Sequence, residues 1–192
     1  MDKIKQCLSN AFKMRDLSRA TFILGIQIKR DRKRRTITLS QHQCIDTVLE
    51  CFRMKDCKPI FTPMDTKSTP STDDPLDNTV VKTTKIGDRD MSYQSIVGSL
   101  MWVTLGTRPD LAYTTGIIRQ YSANPKKSHW DLAKWALHYL KGTRDLELVF
   151  DGSDVNIDMD FHGYTDANWN GDRDTSRSTS GYVFISNHGA IG

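Results

Sequence analysis

Apolar residues recur at helical spacing in five stretches of the chain, and this predicts five helices. The first predicted helix covers residues 3–17. The second follows Ser40, which stands three residues before Gln43 in the spacing of a capping box and is predicted to be its N-cap. The buried face of this second helix is expected to consist of Ile45, Val48, Leu49 and Phe52.

The other three predicted helices lie between Ser92 and Gly142. The first two are separated near Pro109, which suits the first turn of a helix because it lacks a backbone N–H that would need a partner. The last is predicted to have Ser128 as its N-cap and to end at Gly142. We therefore expect a helical unit over residues 92–145.

Alternation of apolar and polar residues predicts strands on both sides of this unit. Residues 22–29 and 36–39 alternate and frame a short charged run, so they are predicted to pair as a β-hairpin with a strongly basic tip. Strand-like patterns return from residue 146. The candidates are residues 146–150, 157–165 and 180–186, with a further strand beginning at Gly189.

Residues 58–90 show no periodicity. They contain Pro59, Pro63, Pro70 and Pro75 among Ser, Thr and Asp, a composition typical of a long loop. We therefore expect residues 61–91 to be a linker or long loop. With helices and strands in separate stretches, the expected fold class is α+β.

Composition narrows the class of protein without identifying it. The net charge of +4 is too small to argue for a nucleic-acid partner, and no apolar stretch approaches the length that spans a bilayer. The four cysteines form no Cys-x-x-Cys pair, so we interpret them as reduced thiols rather than zinc ligands. The expected location is intracellular, in the cytoplasm or nucleus, without a membrane partner.

The positive charge is concentrated at the tip of the predicted hairpin. The residues concerned are Lys29, Arg30, Arg32, Lys33, Arg34 and Arg35. Such a cluster is predicted to bind the phosphates of a nucleic acid, with an affinity that falls steeply as salt rises. The alternative is a solvated turn that keeps strand edges from aggregating, and the sequence leaves both interpretations open.

Asp166 is the candidate residue for catalysis and metal binding, because it lies near the end of a predicted strand. A carboxylate there can hold a divalent cation if other carboxylates converge on it. Asp158, Asp160, Asp172 and Asp174 are close in sequence, although spacing alone favours solvated turn residues.

The aromatic residues suggest no further site. Trp102, Trp130, Trp135 and Tyr139 could stack on bases, but helical spacing makes core packing the better explanation of the last two.

Several strings of residues resemble the Pol polyprotein of copia-type retrotransposons. The string GYTDANWNGD, followed by RSTSGY, resembles the start of the family's ribonuclease H domain, and TRPDLAY resembles a segment just upstream. Earlier strings resemble the end of its reverse transcriptase. In chain order the matching residues are 22–25, 38–41, 56–59, 62–64, 93–98, 107–113, 129–130, 139–143, 163–172 and 177–182.

This resemblance implies a domain organisation. Residues 1–60 would be the C-terminal segment of a reverse transcriptase, with its last palm helix, the primer-grip hairpin and the start of the thumb. Residues 92–145 would be the helical thumb or connection region. Residues 146–192 would be the incomplete N-terminal part of a ribonuclease H-like domain, a mixed α/β sheet.

The resemblance also implies a chemistry for Asp166. It matches the family's first ribonuclease H carboxylate, in a centre where acidic residues hold two Mg²⁺ or Mn²⁺ ions that cut RNA. The polymerase's Tyr-x-Asp-Asp turn would lie before Met1, and the remaining ribonuclease H carboxylates would lie beyond Gly192. We therefore expect both catalytic centres to be incomplete and no metal ion to be bound stably.

The leading hypothesis is a piece of a retrotransposon polyprotein related to RNA-directed DNA polymerase and ribonuclease H, inactive by itself. Its expected partners are an RNA–DNA hybrid or primer–template duplex and the remainder of the polyprotein. Two alternatives are a non-catalytic nucleic-acid-binding module and a host protein that has adopted the segment for protein contacts.

Overall fold

A computed structural model describes residues 2–14, 19–65, 70–71, 79–86, 89–153, 161–172 and 174–191. In this part of the chain a helical core carries three small antiparallel sheets, which is an α+β architecture. The helices are α1 (Asp2–Ala11), α2 (His42–Cys51), α3 (Tyr93–Gly106), α4 (Ala112–Gln120) and α5 (Lys127–Gly142), with a 3₁₀ turn at Pro109–Leu111. The strands are β1 (Phe22–Ile23), β2 (Ile26–Asp31), β3 (Thr36–Ser40), β4 (Thr83–Ile86), β5 (Arg89–Ser92), β6 (Leu148–Asp151), β7 (Phe161–Asn168), β8 (Thr179–Ser186) and β9 (Gly189–Ala190).

The hydrophobic core lies between α2, α3, α4 and α5. The predicted face of α2 is confirmed, because Ile45, Val48, Leu49 and Phe52 are all buried. Residues three or four positions apart lie on one side of a helix, so this spacing presents a continuous apolar stripe to the neighbouring helices. The helices predicted between residues 92 and 142 are also present, as α3, α4 and α5. Helix α2 packs against α3 and α5.

Both serines that were predicted as N-caps have other positions. Ser40 is the last residue of β3, where it pairs with Gln27, and α2 begins two residues later. Helix α5 has Lys126 as its N-cap, and Ser128 therefore lies inside the first turn. The backbone N–H of Lys126 donates to the ring Nδ1 of His129 at 3.0 Å. The capping predictions were wrong because β3 extends to Ser40 and because α5 already begins one residue before Ser128.

The first helix is shorter than predicted. Helix α1 ends at Ala11 rather than at residue 17, and residues 15–18 lie outside the described part of the chain. The apolar side chains on its predicted face remain exposed; they are Ile4, Leu8 and Phe12. An exposed apolar face of this kind is a surface that another part of a protein can cover.

The first sheet has the strand order β1-β2-β3-β6. The single strand predicted over residues 22–29 is instead two strands, because Leu24 and Gly25 have φ values of 51° and 80° and turn β1 back onto β2. Positive φ at both central residues is the geometry of the tightest hairpin turns. The predicted hairpin between β2 and β3 is confirmed as a structure.

Strand β6 completes this sheet from far along the chain. It pairs antiparallel with β3, placing Phe150 opposite Ile37 and Leu148 opposite Leu39. The sequence predicted a strand here but not its neighbour. The division of the chain into four segments stays a prediction, and this pairing joins strands from the first and the last of them.

The segment predicted to be a long loop contains a short hairpin, formed by β4 and β5. Its described part also packs on the helical unit. The N–H of Ile60 donates to the carbonyl of His138 at 3.2 Å, and Trp135 Nε1 donates to the carbonyl of Thr62 at 2.9 Å. Backbone groups paired with helix α5 in this way are docked and ordered.

The third sheet has the order β7-β8-β9, and it confirms the strands predicted from residue 180 and from Gly189. Of the predicted strand 157–165, only residues from Phe161 onward are described. Asp158 and Asp160 lie outside the described part. Within the part that the structure describes, no helix is long and apolar enough to cross a membrane.

Candidate nucleic-acid interface

A local turn holds the tip of the β2–β3 hairpin. Asp31 ends β2, and its Oδ1 accepts the backbone N–H groups of Lys33 at 2.8 Å and Arg34 at 3.1 Å. These two hydrogen bonds lower the pKa of the Asp31 carboxyl, with the Arg34 bond as the larger cause. An aspartate that pairs with N–H groups two and three residues ahead closes the turn without help from elsewhere.

All six predicted cations of this hairpin are exposed, but they do not form one cluster. Four of them, Arg32 to Arg35, are consecutive at the tip. Lys29 and Arg30 lie on β2 and point to opposite faces of the sheet because side chains alternate along a strand. Lys29 is also engaged, since its Nζ lies 2.9 Å from Glu147 Oε1.

The structure places Asp166 in β7, opposite Gly181 of β8, with an exposed side chain. Its Oδ1 accepts the N–H of the next residue, Ala167, at 2.8 Å. The position in a strand agrees with the prediction. The role in catalysis and in metal binding stays a prediction.

Asp172 and Asp174, the described neighbours of Asp166 in sequence, form a separate loop. Asp172 Oδ1 accepts the N–H groups of Asp174 and Thr175, and hydrogen bonds from Thr175 and from the Asp174 N–H lower the Asp172 pKa. Asp174 Oδ1 accepts the hydroxyl of Ser71 at 2.5 Å. Among the described residues no three His, Cys, Asp or Glu side chains are grouped to hold a metal ion. The described residues alone therefore do not fit a two-metal centre.

Three of the four aromatic residues follow the packing interpretation. Trp130 and Tyr139 are 2% and 7% exposed, and Trp135 is partly buried with its Nε1 bound to the Thr62 carbonyl. Trp102 is 45% exposed and lies near Gly25 of the β1–β2 turn. Bases have no access to the first two rings, because buried rings offer no free face.

Sequence reasoning missed a buried polar network after α3. Arg108 is 1% exposed, and its Nε and Nη2 bind the two carboxylate oxygens of Asp110 at 3.0 and 2.7 Å. The same guanidinium donates to the carbonyl and the hydroxyl of Thr143, and Tyr139 donates its hydroxyl to Asp110 at 2.8 Å. The network ties the end of α3 to the end of α5. Its only signal in the sequence was the family string around Pro109.

The ionisation of this network follows from burial and pairing. Burial raises the pKa of the Asp110 carboxyl, but hydrogen bonding to Arg108 and its positive charge outweigh that effect, so the net pKa is lowered. For Tyr139, burial comes first and the hydrogen bond to Asp110 second, and both raise its pKa. The Asp110 carboxyl is therefore held ionised, and the Tyr139 phenol stays protonated as its hydrogen-bond donor.

Comparisons with known proteins concern the family to which the chain belongs. The family model for reverse transcriptase (RNA-dependent DNA polymerase) matches residues 1–66. The chain is 40% identical over 195 residues to the retrovirus-related Pol polyprotein from transposon TNT 1-94 of Nicotiana tabacum, and the match covers 98% of the chain. It is 34% identical over 184 residues to the Pol polyprotein from transposon RE2 of Arabidopsis thaliana, covering 96% of the chain. No solved structure matches the chain significantly.

The chain spans only a small share of these polyproteins, 14% of the tobacco protein and 12% of the Arabidopsis one. An uncharacterized mitochondrial protein of Arabidopsis thaliana is 36% identical over 177 residues, and there the match covers 91% of the chain and 66% of that protein. The matches to transposon polyproteins extend along nearly the whole chain, and the family model covers its start. The chain therefore belongs to the Pol polyproteins of copia-type retrotransposons, and its first 66 residues belong to their reverse transcriptase.

Proposed function

We propose that this chain holds a nucleic-acid duplex for a copia-type reverse transcriptase and catalyses no reaction by itself. The observation that carries the proposal is the hairpin tip, where Arg32 to Arg35 are consecutive and exposed. The tip lies inside the segment that matches the reverse transcriptase family. The duplex would be a primer–template or an RNA–DNA hybrid.

Electrostatics supports binding to the sugar–phosphate backbone rather than to base edges. Cationic side chains that neutralise phosphates release condensed counterions, and the gain does not depend on the base sequence. The hairpin is suited to this role because the Asp31 turn already orders its tip, which reduces the entropy lost on binding. Lys29 is expected to contribute less than the tip residues, since Glu147 already pairs with it.

A salt titration of duplex binding tests this function. Replacing Arg32, Lys33, Arg34 and Arg35 together by Ala removes up to four phosphate contacts. The slope of log affinity against log salt should then become shallower by about 3 to 4, since each contact contributes roughly 0.9 to that slope. Fluorescence anisotropy of a labelled RNA–DNA hybrid measures it.

The matched control removes four exposed lysines that lie outside the hairpin, namely Lys3, Lys55, Lys82 and Lys127. It changes the net charge by the same amount, so a general charge effect would alter both slopes equally. Equal slopes for the two variants, or no binding of the unmodified chain at low salt, would refute the proposal.

We further propose that β7, β8 and β9 form the start of a ribonuclease H-like sheet, with Asp166 as the first catalytic carboxylate in the longer polyprotein. Supporting observations are the antiparallel pairing of the three strands and the position of Asp166 within β7. In an intact enzyme Mg²⁺ or Mn²⁺ would need further carboxylates, because one carboxylate cannot hold two metal ions.

The isolated chain is therefore expected to neither extend a primed template nor cut an RNA–DNA hybrid with Mg²⁺ or Mn²⁺. Gel assays of both reactions measure this, with the Asp166→Asn chain as the comparison. Primer extension by the purified chain would contradict the expectation, and so would hybrid cutting that Asp166→Asn abolishes. Cutting that persists in the Asp166→Asn chain would indicate a contaminating nuclease. Further purification would remove that nuclease.

The remainder of the polyprotein is the proposed protein partner. The exposed apolar side chains on α1 and just after it, namely Ile4, Leu8 and Phe12, support this because they offer a face for packing. We also propose that the protein lies inside the cell, in the cytoplasm or nucleus.

A further inference from the structure

A cavity of about 290 Å³ opens on the side of the helical unit where α2 ends. It lies between the end of α2, strand β4, and the helices α3 and α5. The floor is apolar and consists of Phe52, Met54, Ile86, Ile96, Trp130 and Leu137. This volume lies near the lower end of the range for protein ligand pockets. None of its lining residues belongs to the β2–β3 hairpin, so the cavity has no part in the function proposed above.

Most of the cavity floor belongs to the packed core. Phe52, Ile96 and Leu137 are at most 3% exposed because they also belong to the core. Trp130 is fixed by the hydrogen bond from its Nε1 to the Val81 carbonyl at 2.7 Å. A preformed apolar floor costs little ordering entropy when a group is buried against it.

The other lining side chains among the described residues are cationic. Arg53 lies just after α2, Lys85 on β4 and Lys134 on α5, so the positive charges stand on three different parts of the fold. No carboxylate lines the cavity among the described residues. Asp131 lies 3.9 Å from Lys134 on the same helix, but both side chains are well exposed, so this pair is weak.

We infer that this cavity is a docking site for an acidic peptide segment of a partner protein, which buries one large apolar side chain on the floor and sets its carboxylates beside Lys85, Lys134 and Arg53. A nucleobase is disfavoured, because its polar edge would face apolar side chains while the one indole donor is already used. A single organic anion is also disfavoured, since it would offer one negative group to three cations that stand on different elements.

Fluorescence anisotropy with the full chain tests the site, using a fluorescein-labelled peptide of sequence Glu-Glu-Phe-Asp-Glu. Two comparison peptides replace the Phe by Ala, or every acidic residue by its amide. The Phe-to-Ala peptide should bind about tenfold more weakly, since burying such a side chain contributes about 1.5 kcal/mol or more. The amide peptide should lose affinity to a similar degree and lose its dependence on salt.

Charge reversals in the protein locate the site. Lys85→Glu and Lys134→Glu should each weaken peptide binding about threefold or more. Lys127→Glu, on the same helix α5 but outside the cavity, should leave binding unchanged, and circular dichroism checks that each variant is folded. The hairpin variant that lacks Arg32 to Arg35 should bind the peptide normally, which separates this test from that of the proposed function.

Equal binding to the Lys85→Glu, Lys134→Glu double variant would overturn the proposal. So would equal binding of the Ala peptide. If phenylacetate displaces the peptide and the amide peptide binds as tightly as the acidic one, the cavity takes an isolated apolar group, and the peptide site is refuted.

Discussion

Arg108 shows how one residue can organise the helical unit. Its guanidinium is buried, yet every described partner around it is an acceptor or a ring: the Asp110 carboxylate, the Thr143 oxygens and the face of Tyr139, 5.4 Å away. A buried charge is tolerated only when it is paired and hydrogen-bonded in this way. The network thus makes Arg108 essential to the packing of the two helix ends.

Arg108→Met should lower the free energy of unfolding by about 2–4 kcal/mol, because it leaves Asp110 without its partner in a partly buried place. Urea denaturation at neutral pH measures this. Arg119→Met replaces an exposed arginine on α4 and should change the free energy by less than about 0.5 kcal/mol. Similar losses in the two variants would show that the Arg108 network does not stabilise the fold.

At the scale of elements, the segment around Ile60 packs against helix α5. This contact shows that the segment is a docked loop rather than a free linker. Gly142 ends α5, and a Cβ at this position would collide with the carbonyl oxygen of Ile60. The close approach of the two backbones therefore requires a residue without a side chain.

Gly142→Ala should destabilise the protein by about 1–3 kcal/mol because the loop must move away from the helix. Gly98→Ala on α3 is the matched change, since a Cβ there meets nothing within 4 Å. It should stabilise the chain by up to about 1 kcal/mol through helix propensity alone. Thermal or urea unfolding of both variants gives the comparison, and stabilisation by both would mean that the segment is not docked on α5.

At the scale of the whole molecule, carboxylates join parts of the chain that are far apart in sequence. Asp46 of α2 accepts two hydrogen bonds from Arg144 beyond α5, at 2.6 and 2.5 Å, and this pairing lowers the Asp46 pKa. Asp110 likewise has a lowered pKa. A carboxyl whose pKa is lower in the folded state stabilises the protein above its unfolded pKa, and the stabilisation is lost as pH falls through the folded pKa.

The free energy of unfolding should therefore fall as pH decreases from about 5 towards 2. A variant with both Asp46→Asn and Asp110→Asn should begin less stable at neutral pH and lose less on acidification. Asp131→Asn, an exposed carboxylate on α5, is the control and should follow the unmodified chain. Urea titrations at a series of pH values measure the slopes, and identical slopes in all three proteins would rule out these two ion pairs as the cause.

The local pattern of apolar and polar residues was sufficient to predict an element wherever that element depends on its own residues. The stripe from Ile45 to Phe52 predicted the buried face of α2, and the charged run between two alternating stretches predicted the β2–β3 hairpin. Local pattern failed where other contacts set the bounds of an element: Ser40 stays in the sheet opposite Gln27, and α5 has Lys126 rather than Ser128 as its N-cap. The consecutive charges from Arg32 to Arg35 could be predicted from the sequence, but the pairing of Lys29 with Glu147 could not.

The sequence alone determined the family, the apolar faces of the helices and the basic tip, because each depends on residues close together in the chain. Only the tertiary structure decided that β6 pairs with β3, that Arg108 is buried, and that a cationic cavity forms beside Trp130. These features join residues separated by tens of positions. The periodicity of side chains does not indicate which distant element the apolar face of a helix or strand will contact. That contact is decided by the complementary shapes and charges of the packed elements.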